Sequence, residues 1–187
     1  MIVDANCYNE FGGNMKITES LFYYPENSML DANTYIIKDQ INIIVDVVAG
    51  DHILFDITPN ITLWPGVKNS LKDYLASLEK VYPLDVNLVL PGHRSIMRDH
   101  RKRIRELKKH HQERLNEVLA ALKDGAKSAF QVAPYITWDI KYKSWELFPA
   151  QQKWFAFGET FAHLKYLEEE GMIGRETQGD KTVFLLK

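Results

Sequence analysis

A short apolar segment that ends abruptly at a proline and a glycine constrains the fold of this chain more than any other feature. Asp85 to Leu90 is rich in aliphatic residues and is predicted to form a buried strand. Pro91 and Gly92 then end the strand and leave His93 at its carboxyl end. Because α/β proteins bind ligands and metals beside the carboxyl ends of strands, His93 is a candidate metal ligand. A histidine in such a turn is also compatible with a purely structural role.

A second candidate lies upstream, where Asp51 follows Ile41 to Val48, an apolar β-branched run that is predicted to be a strand. A carboxylate can bridge two divalent cations and hold them close enough to share a water nucleophile. An aspartate in a turn can equally accept hydrogen bonds from nearby backbone N–H groups. The neighbouring His52 is expected to make turn contacts.

Three segments together resemble the metallo-β-lactamase superfamily, and in particular its hydrolases that carry a small winged-helix domain at the carboxyl end. They read AGDHILFDITPNI, LKDYLASLEKVYPLDVNLVLPGHR and GETFAHLKYLEEEGMIG. The resemblance implies that Asp51 bridges two metal ions and that His93 is the last histidine ligand of the second metal. It also implies zinc or another divalent metal as the cofactor. The implied reaction is attack of a metal-bound hydroxide on an ester, thioester or phosphodiester bond. Arg94 is then a candidate contact for an anionic substrate.

The histidines of this chain depart from that family pattern. The family has a His-x-His-x-Asp-His cluster, which has no counterpart among the six histidines here: His52, His93, His100, His110, His111 and His163. Asp31 to Asp46 resembles the opening hairpin of the family, and Asp51 follows almost at once, so the central block is predicted to be missing. A catalytic zinc normally has three protein ligands. One carboxylate and one imidazole therefore predict a weak site, and a non-catalytic remnant that acts as an interaction module is an alternative.

The predicted fold class is α/β, with a partial metallo-β-lactamase-like αββα layer followed by a small winged-helix α+β domain. We place the truncated metallo-β-lactamase-like domain at residues 1–97, a long connecting helix at 98–124 and the winged-helix domain at 125–187. Ile17 to Tyr24 and Thr34 to Ile37 are predicted to be strands. A sheet cut short in this way exposes an edge or an apolar face, which predicts a homo-oligomer formed through the exposed sheet.

Helical periodicity predicts the remaining elements. A helix follows Asn69 or Ser70, and a longer one runs from Asp99 to about Lys123. Ser128 is predicted to cap a short helix. A last helix begins at Pro149, with an apolar face formed by Trp154, Phe157, Phe161, Leu164 and Leu167. Gly171 ends this helix and a terminal hairpin follows, which is the order of elements in a winged helix.

Basic residues crowd the start of the long helix: Arg98, Arg101, Lys102, Arg103, Arg105, Lys108 and Lys109. They are typical of a solvated face with some ion pairing, or of a surface that contacts phosphates, so RNA binding is an alternative function. The helix that begins at Pro149 would be the recognition helix of a winged helix. It carries four glutamates, which argues against binding in the major groove of DNA. His110 and His111 are adjacent and are not predicted to form a metal pair.

Length and composition set the outer limits. A chain of 187 residues corresponds to one or two small domains, and its net charge of −2 gives no general attraction to nucleic acid. The single cysteine, Cys7, is typical of a reducing compartment. The sequence contains neither a signal-peptide pattern nor a membrane-spanning apolar run. We therefore expect a cytoplasmic protein without a membrane partner, whose substrate is a small molecule or RNA.

Overall fold

The computed structural model of this protein describes residues 15–18, 21–24, 34–37, 43–45, 61, 68–90, 97–139 and 142–187. The three residues proposed for the site on sequence grounds, Asp51, His93 and Arg94, lie outside these ranges. The chain divides into two compact units. The first unit comprises Met1–Pro59 and Tyr82–Arg105, and the second comprises Asn60–Val81 and Glu106–Lys187.

The first unit contains a three-stranded antiparallel sheet of β1 (Met15–Thr18), β2 (Leu21–Tyr24) and β3 (Thr34–Ile37). The prediction of a single strand from Ile17 to Tyr24 was wrong, because the chain reverses between Thr18 and Leu21 and pairs these two residues. An apolar run indicates a preference for β-structure, but it does not indicate where one strand ends and the next begins. The strand at Thr34–Ile37 is confirmed.

A second, two-stranded sheet of the first unit is parallel. It pairs β4 (Ile43–Val45) with β5 (Leu88–Leu90), in the register Ile43 to Leu88 and Val45 to Leu90. The strand predicted at Asp85 to Leu90 is therefore confirmed over its last three residues. Val89 is fully buried and exchanges backbone hydrogen bonds with Met97 of 2.8 and 3.3 Å. Since β4 and β5 are parallel, their carboxyl ends lie side by side.

Two of the helices begin at side-chain caps that the sequence predicts. Helix α1 spans Ser70–Val81, and the Asn69 side chain accepts a hydrogen bond of 3.1 Å from the Lys72 N–H. Helix α2 spans His100–Ala121, and Asp99 accepts one of 2.8 Å from the Lys102 N–H. Helix α2 begins in the first unit and continues in the second. Its periodicity predicts an apolar face of Ile104, Leu107, Leu115, Val118, Leu119 and Leu122. All of these side chains are buried except Leu119, which is partly buried.

The second unit ends with two helices and a hairpin. Helix α3 spans Ala129–Val132 and is capped by Ser128, whose side chain and that of Gln131 form a capping box. Helix α4 spans Ala150–Glu169 and is followed by Gly171 at a φ of +76°. Strands β6 (Ile173–Gln178) and β7 (Lys181–Leu186) then pair as an antiparallel hairpin. The α/β class is confirmed, and the winged-helix assignment stays a prediction.

The core of the second unit contains side chains from α1, α2, α3 and α4 and from both strands of the hairpin. Its buried side chains include Leu71, Leu115, Val118, Leu122, Val132, Leu164, Leu167, Ile173, Val183 and Phe184. In the described ranges, no helix is both long and apolar enough to cross a membrane.

The predicted core face of α4 was partly wrong. Leu164 and Leu167 are buried, but Trp154 is 62% exposed and Phe157 is 38% exposed. The face that α4 buries instead includes polar residues, among them Glu159 and His163. Hydropathy assigns such residues to the solvent side, whereas buried polar groups that bond to one another are stable in a core.

Candidate functional site: a buried cluster of histidine and carboxylate side chains

Five polar side chains from two helices meet inside the second unit. Helix α2 contributes His110, His111 and Arg114, and α4 contributes Glu159 and His163. We call these five residues the histidine cluster. Arg114 and Glu159 are four residues from His110 and His163 respectively, a spacing that places both members of each pair on one side of its helix. His111 and His163 are both fully buried.

An ion pair lies at one end of the cluster. Arg114 donates from one guanidinium nitrogen to Glu159 and from another to the Thr137 carbonyl at 3.0 Å. The guanidinium carbon lies 4.5 Å from the centre of the Trp138 ring, which adds a cation–π contact. The side chains of Arg114 and Glu159 are only 8% and 4% exposed. Each charge therefore depends on the other for compensation.

A chain of hydrogen bonds fixes the protons of the two buried histidines. His163 Nδ1 lies 2.8 Å from the Glu159 carbonyl oxygen, and His163 Nε2 lies 3.1 Å from His111 Nδ1. Burial lowers the pKa of His163 to about 3, and the nearby Arg114 charge acts in the same direction. Burial also lowers the pKa of His111 to about 2, helped by the neighbouring His163, His110 and Arg114. Both rings are therefore neutral, with one proton each.

The positions of these protons follow from the acceptors. A carbonyl oxygen can only accept, so the His163 proton is on Nδ1 and its Nε2 accepts from His111 Nδ1–H. The lone pair of His111 is then on Nε2. This buried atom has no hydrogen-bond partner among the described residues. A neutral imidazole with one N–H bonded and a lone pair on the other nitrogen has the electronic state of a metal ligand.

A metal-binding geometry is present in the same cluster. His110, His111 and Glu159 each offer one ligand atom, and these three atoms lie within 4.8 Å of one another. Two histidines and a glutamate are the ligand set of one class of catalytic zinc site. The prediction that His110 and His111 do not form a metal pair considered only their own helix and did not include Glu159 from α4. The only sequence signal for this cluster was the i,i+4 spacing of His110 with Arg114 and of Glu159 with His163.

A groove of about 590 Å³ opens beside the cluster. His110 and Arg114 line it, together with three carboxylate residues, Glu113, Glu117 and Asp139. Arg114 pairs with Glu159, and Glu113 pairs with Lys109 at 3.6 Å, so Glu117 and Asp139 supply most of the negative charge of the groove. This balance gives the groove a negative field that attracts cations.

Residues 115–184 match a family model described as Metallo-beta-lactamase-like, C-terminal domain. Two solved structures are also similar. One is a beta-lactamase domain protein from Burkholderia ambifaria, with 29% identity and a TM-score of 0.64 over 78% of this chain and 41% of that chain. The other is a metallo-beta-lactamase family protein from Thermus thermophilus, with 37% identity and a TM-score of 0.57 over 72% of this chain and 40% of that chain. No curated protein matches this chain.

These matches support assignment to the metallo-β-lactamase superfamily. The resemblance inferred from the sequence is confirmed at this level. The chain spans only 41% and 40% of the two solved structures that it matches.

Proposed function

We propose that this chain is by descent a metal-dependent hydrolase of the metallo-β-lactamase superfamily, with Asp51 and His93 as metal ligands and Arg94 as a substrate contact. The observation that supports this most directly is the parallel pairing of β4 and β5, which aligns Val45 with Leu90. Asp51 lies six residues after Val45, and His93 lies three residues after Leu90. The two candidate ligands therefore follow strand ends at the same edge of one sheet, where α/β proteins bind ligands.

The donor set limits what these residues can do alone. Zinc or another divalent metal would supply a Lewis acid and an activated water. One carboxylate and one imidazole do not fill the three protein positions of a catalytic zinc. We therefore propose that hydrolysis requires ligands from elsewhere, such as a partner subunit.

The second unit has a separate role in this proposal. The order of α3, α4 and the β6–β7 hairpin, and the family match over residues 115–184, support a winged-helix domain. We propose that residues 125–187 form this winged-helix domain and that the protein is cytoplasmic.

Metal content and hydrolysis test the proposal together. The full chain is purified with Zn²⁺ or Mn²⁺, its bound metal is measured by elemental analysis, and it is assayed on ester, thioester and phosphodiester substrates. We expect hydrolysis above the metal-only background, which the double variant Asp51→Ala/His93→Ala loses. His52→Ala is the matched control, because it changes the histidine next to Asp51. Rates equal to background for all three proteins would refute hydrolase activity of this chain.

An interaction module is a second candidate, favoured by exposed aromatic and aliphatic side chains of the second unit. Phe130, Tyr135, Leu147 and Trp154 are each more than half exposed. Exposed apolar side chains are typical of a contact with another chain when they form one continuous patch. The mass of the protein in solution tests this candidate. A homo-oligomer without bound metal would favour it, and a monomer that retains hydrolysis would contradict it.

A further inference from the structure

The histidine cluster contains a binding site that is separate from Asp51 and His93. We propose that His110, His111 and Glu159 bind a single divalent transition-metal ion of the Zn²⁺ class. All three residues belong to the second unit, on helices α2 and α4. This inference goes beyond the proposed hydrolase function and does not depend on it.

The distances between the ligand atoms fit such an ion after a small closure. A tetrahedral zinc with Zn–N and Zn–O distances of about 2.0–2.1 Å separates its ligand atoms by about 3.4 Å. The three atoms here already lie within 4.8 Å of one another. Side-chain rotation within the two helices can close a difference of this size, and two histidines with one glutamate leave the fourth position for water.

Hydrogen bonds around two of the three ligands, His111 and Glu159, provide support of the kind that metal sites require. Metal-bound histidines usually donate their second N–H to a fixed acceptor, and metal-bound carboxylates are themselves hydrogen-bonded. His111 donates Nδ1–H to His163, which is held in turn by the Glu159 carbonyl. Arg114 holds the Glu159 carboxylate through Oε1. The lone pair on His111 Nε2 has no described partner and is available to a metal.

The local charge permits a cation although Arg114 is close. Burial keeps His111 and His163 neutral, and Glu159 compensates Arg114. The groove beside His110 adds Glu113, Glu117 and Asp139. Side chains whose charge is opposite to that of a divalent ion therefore line the groove beside His110.

Metal binding to variants of the full chain tests this site. The protein carrying Asp51→Ala/His93→Ala is stripped with a chelator, and Zn²⁺ is titrated by calorimetry. The same background carrying His110→Ala is measured in parallel. His110 is the best residue to change because it is only partly buried, so the core stays filled. Gln112→Ala, an exposed neighbour on α2, is the matched control.

We expect one Zn²⁺ per chain in the Asp51→Ala/His93→Ala background, unchanged by Gln112→Ala. His110→Ala weakens binding by ~10-fold or more, because losing a ligand exceeds the effect of losing a supporting hydrogen bond. Co²⁺ in place of Zn²⁺ is expected to give the visible absorption of a four-coordinate site. Glu159→Gln removes the carboxylate and provides an independent second variant, with circular dichroism to confirm folding.

Two results would overturn the proposal. The first is no binding in the Asp51→Ala/His93→Ala background, and the second is an affinity that His110→Ala and Glu159→Gln leave unchanged. An ion that the wild-type chain and a chain carrying His110→Ala alone both bind, but that Asp51→Ala/His93→Ala does not bind, would support the hydrolase metal and refute this site. The failures of the two proposals are therefore distinguishable.

Discussion

The buried ion pair between Arg114 and Glu159 makes the sharpest prediction about stability. Glu159→Gln removes one charge without changing the shape of the side chain and leaves a guanidinium that is 8% exposed without its counter-charge. Removing one member of a buried pair costs about 3–5 kcal/mol. Arg114→Met costs a similar amount and also removes the hydrogen bond to Thr137 and the contact with Trp138. Because a small domain has a free energy of unfolding of about 5–15 kcal/mol, either variant loses a large part of it.

Replacing both partners has a different expected result. Arg114→Met/Glu159→Leu removes both buried charges and fills their volume with apolar groups. Such replacements are often neutral or stabilising. The double variant is therefore expected to be several kcal/mol more stable than the sum of the single effects predicts, which is the coupling energy of a double-mutant cycle.

Urea unfolding followed by far-ultraviolet circular dichroism, with a chelator present, measures these free energies. Acidification adds a second test. An orphaned Glu159 carboxylate can take up a proton, whereas an orphaned Arg114 guanidinium stays charged. Relative to wild type, Arg114→Met should therefore recover stability at low pH and Glu159→Gln should not. Single-variant costs below about 1 kcal/mol, or additive effects in the double variant, would refute this account of the core.

Three further predictions concern the second unit. Ser128→Ala removes the capping box of α3 and should lower the free energy of unfolding by about 1 kcal/mol in urea melts, and an unchanged midpoint would contradict it. Gly171→Ala, at a φ of +76°, should cost about 1 kcal/mol, whereas Gly174→Ala should cost little, because its new Cβ meets Leu185 at an ordinary 3.7 Å; equal costs would refute the conformational argument. His111 and His163 have pKa values far below the usual 6.5 when folded, so the unfolded chain binds more protons below that pH and stability falls on acidification. With a chelator present, the free energy of unfolding should be lower at pH 5 than at neutral pH by about 2 kcal/mol for each of these histidines. His163→Phe should make the free energy of unfolding depend less steeply on pH.

The sequence predicted the elements that local chemistry controls. Asn69, Asp99 and Ser128 have side chains that cap helices, and each does so. Gly171 follows α4, where a residue in the left-handed conformation is required. Strand β6 ends at Gln178, where the hairpin requires a tight turn. These signals depend on neighbours within four residues of one another, so they are readable without tertiary information.

The candidate metal site was not predictable in the same way. Glu159 comes to lie beside His110 and His111 only because α2 and α4 pack together, and these residues are about fifty positions apart in the sequence. The periodicity of α4 suggested a face with Trp154 and Phe157, because hydropathy treats glutamate and histidine as solvent-facing. Polar residues that satisfy one another in a core give no such signal until the partner helix is placed.

The basic residues at the start of α2 show that the number of charges in a sequence can differ from the number available to a ligand. Arg101 donates to the carbonyls of Tyr82 and Leu84, and Arg105 donates to the Tyr82 hydroxyl. Lys108 pairs with Glu79, and Lys109 pairs with Glu113 at 3.6 Å. The phosphate backbone of a nucleic acid would have to compete with these contacts. Fewer basic side chains are therefore available to displace its counterions than the number in the sequence suggests. Arg101, Arg105, Lys108 and Lys109 therefore fit the prediction of a solvated face with ion pairing, and RNA binding by this helix stays a prediction.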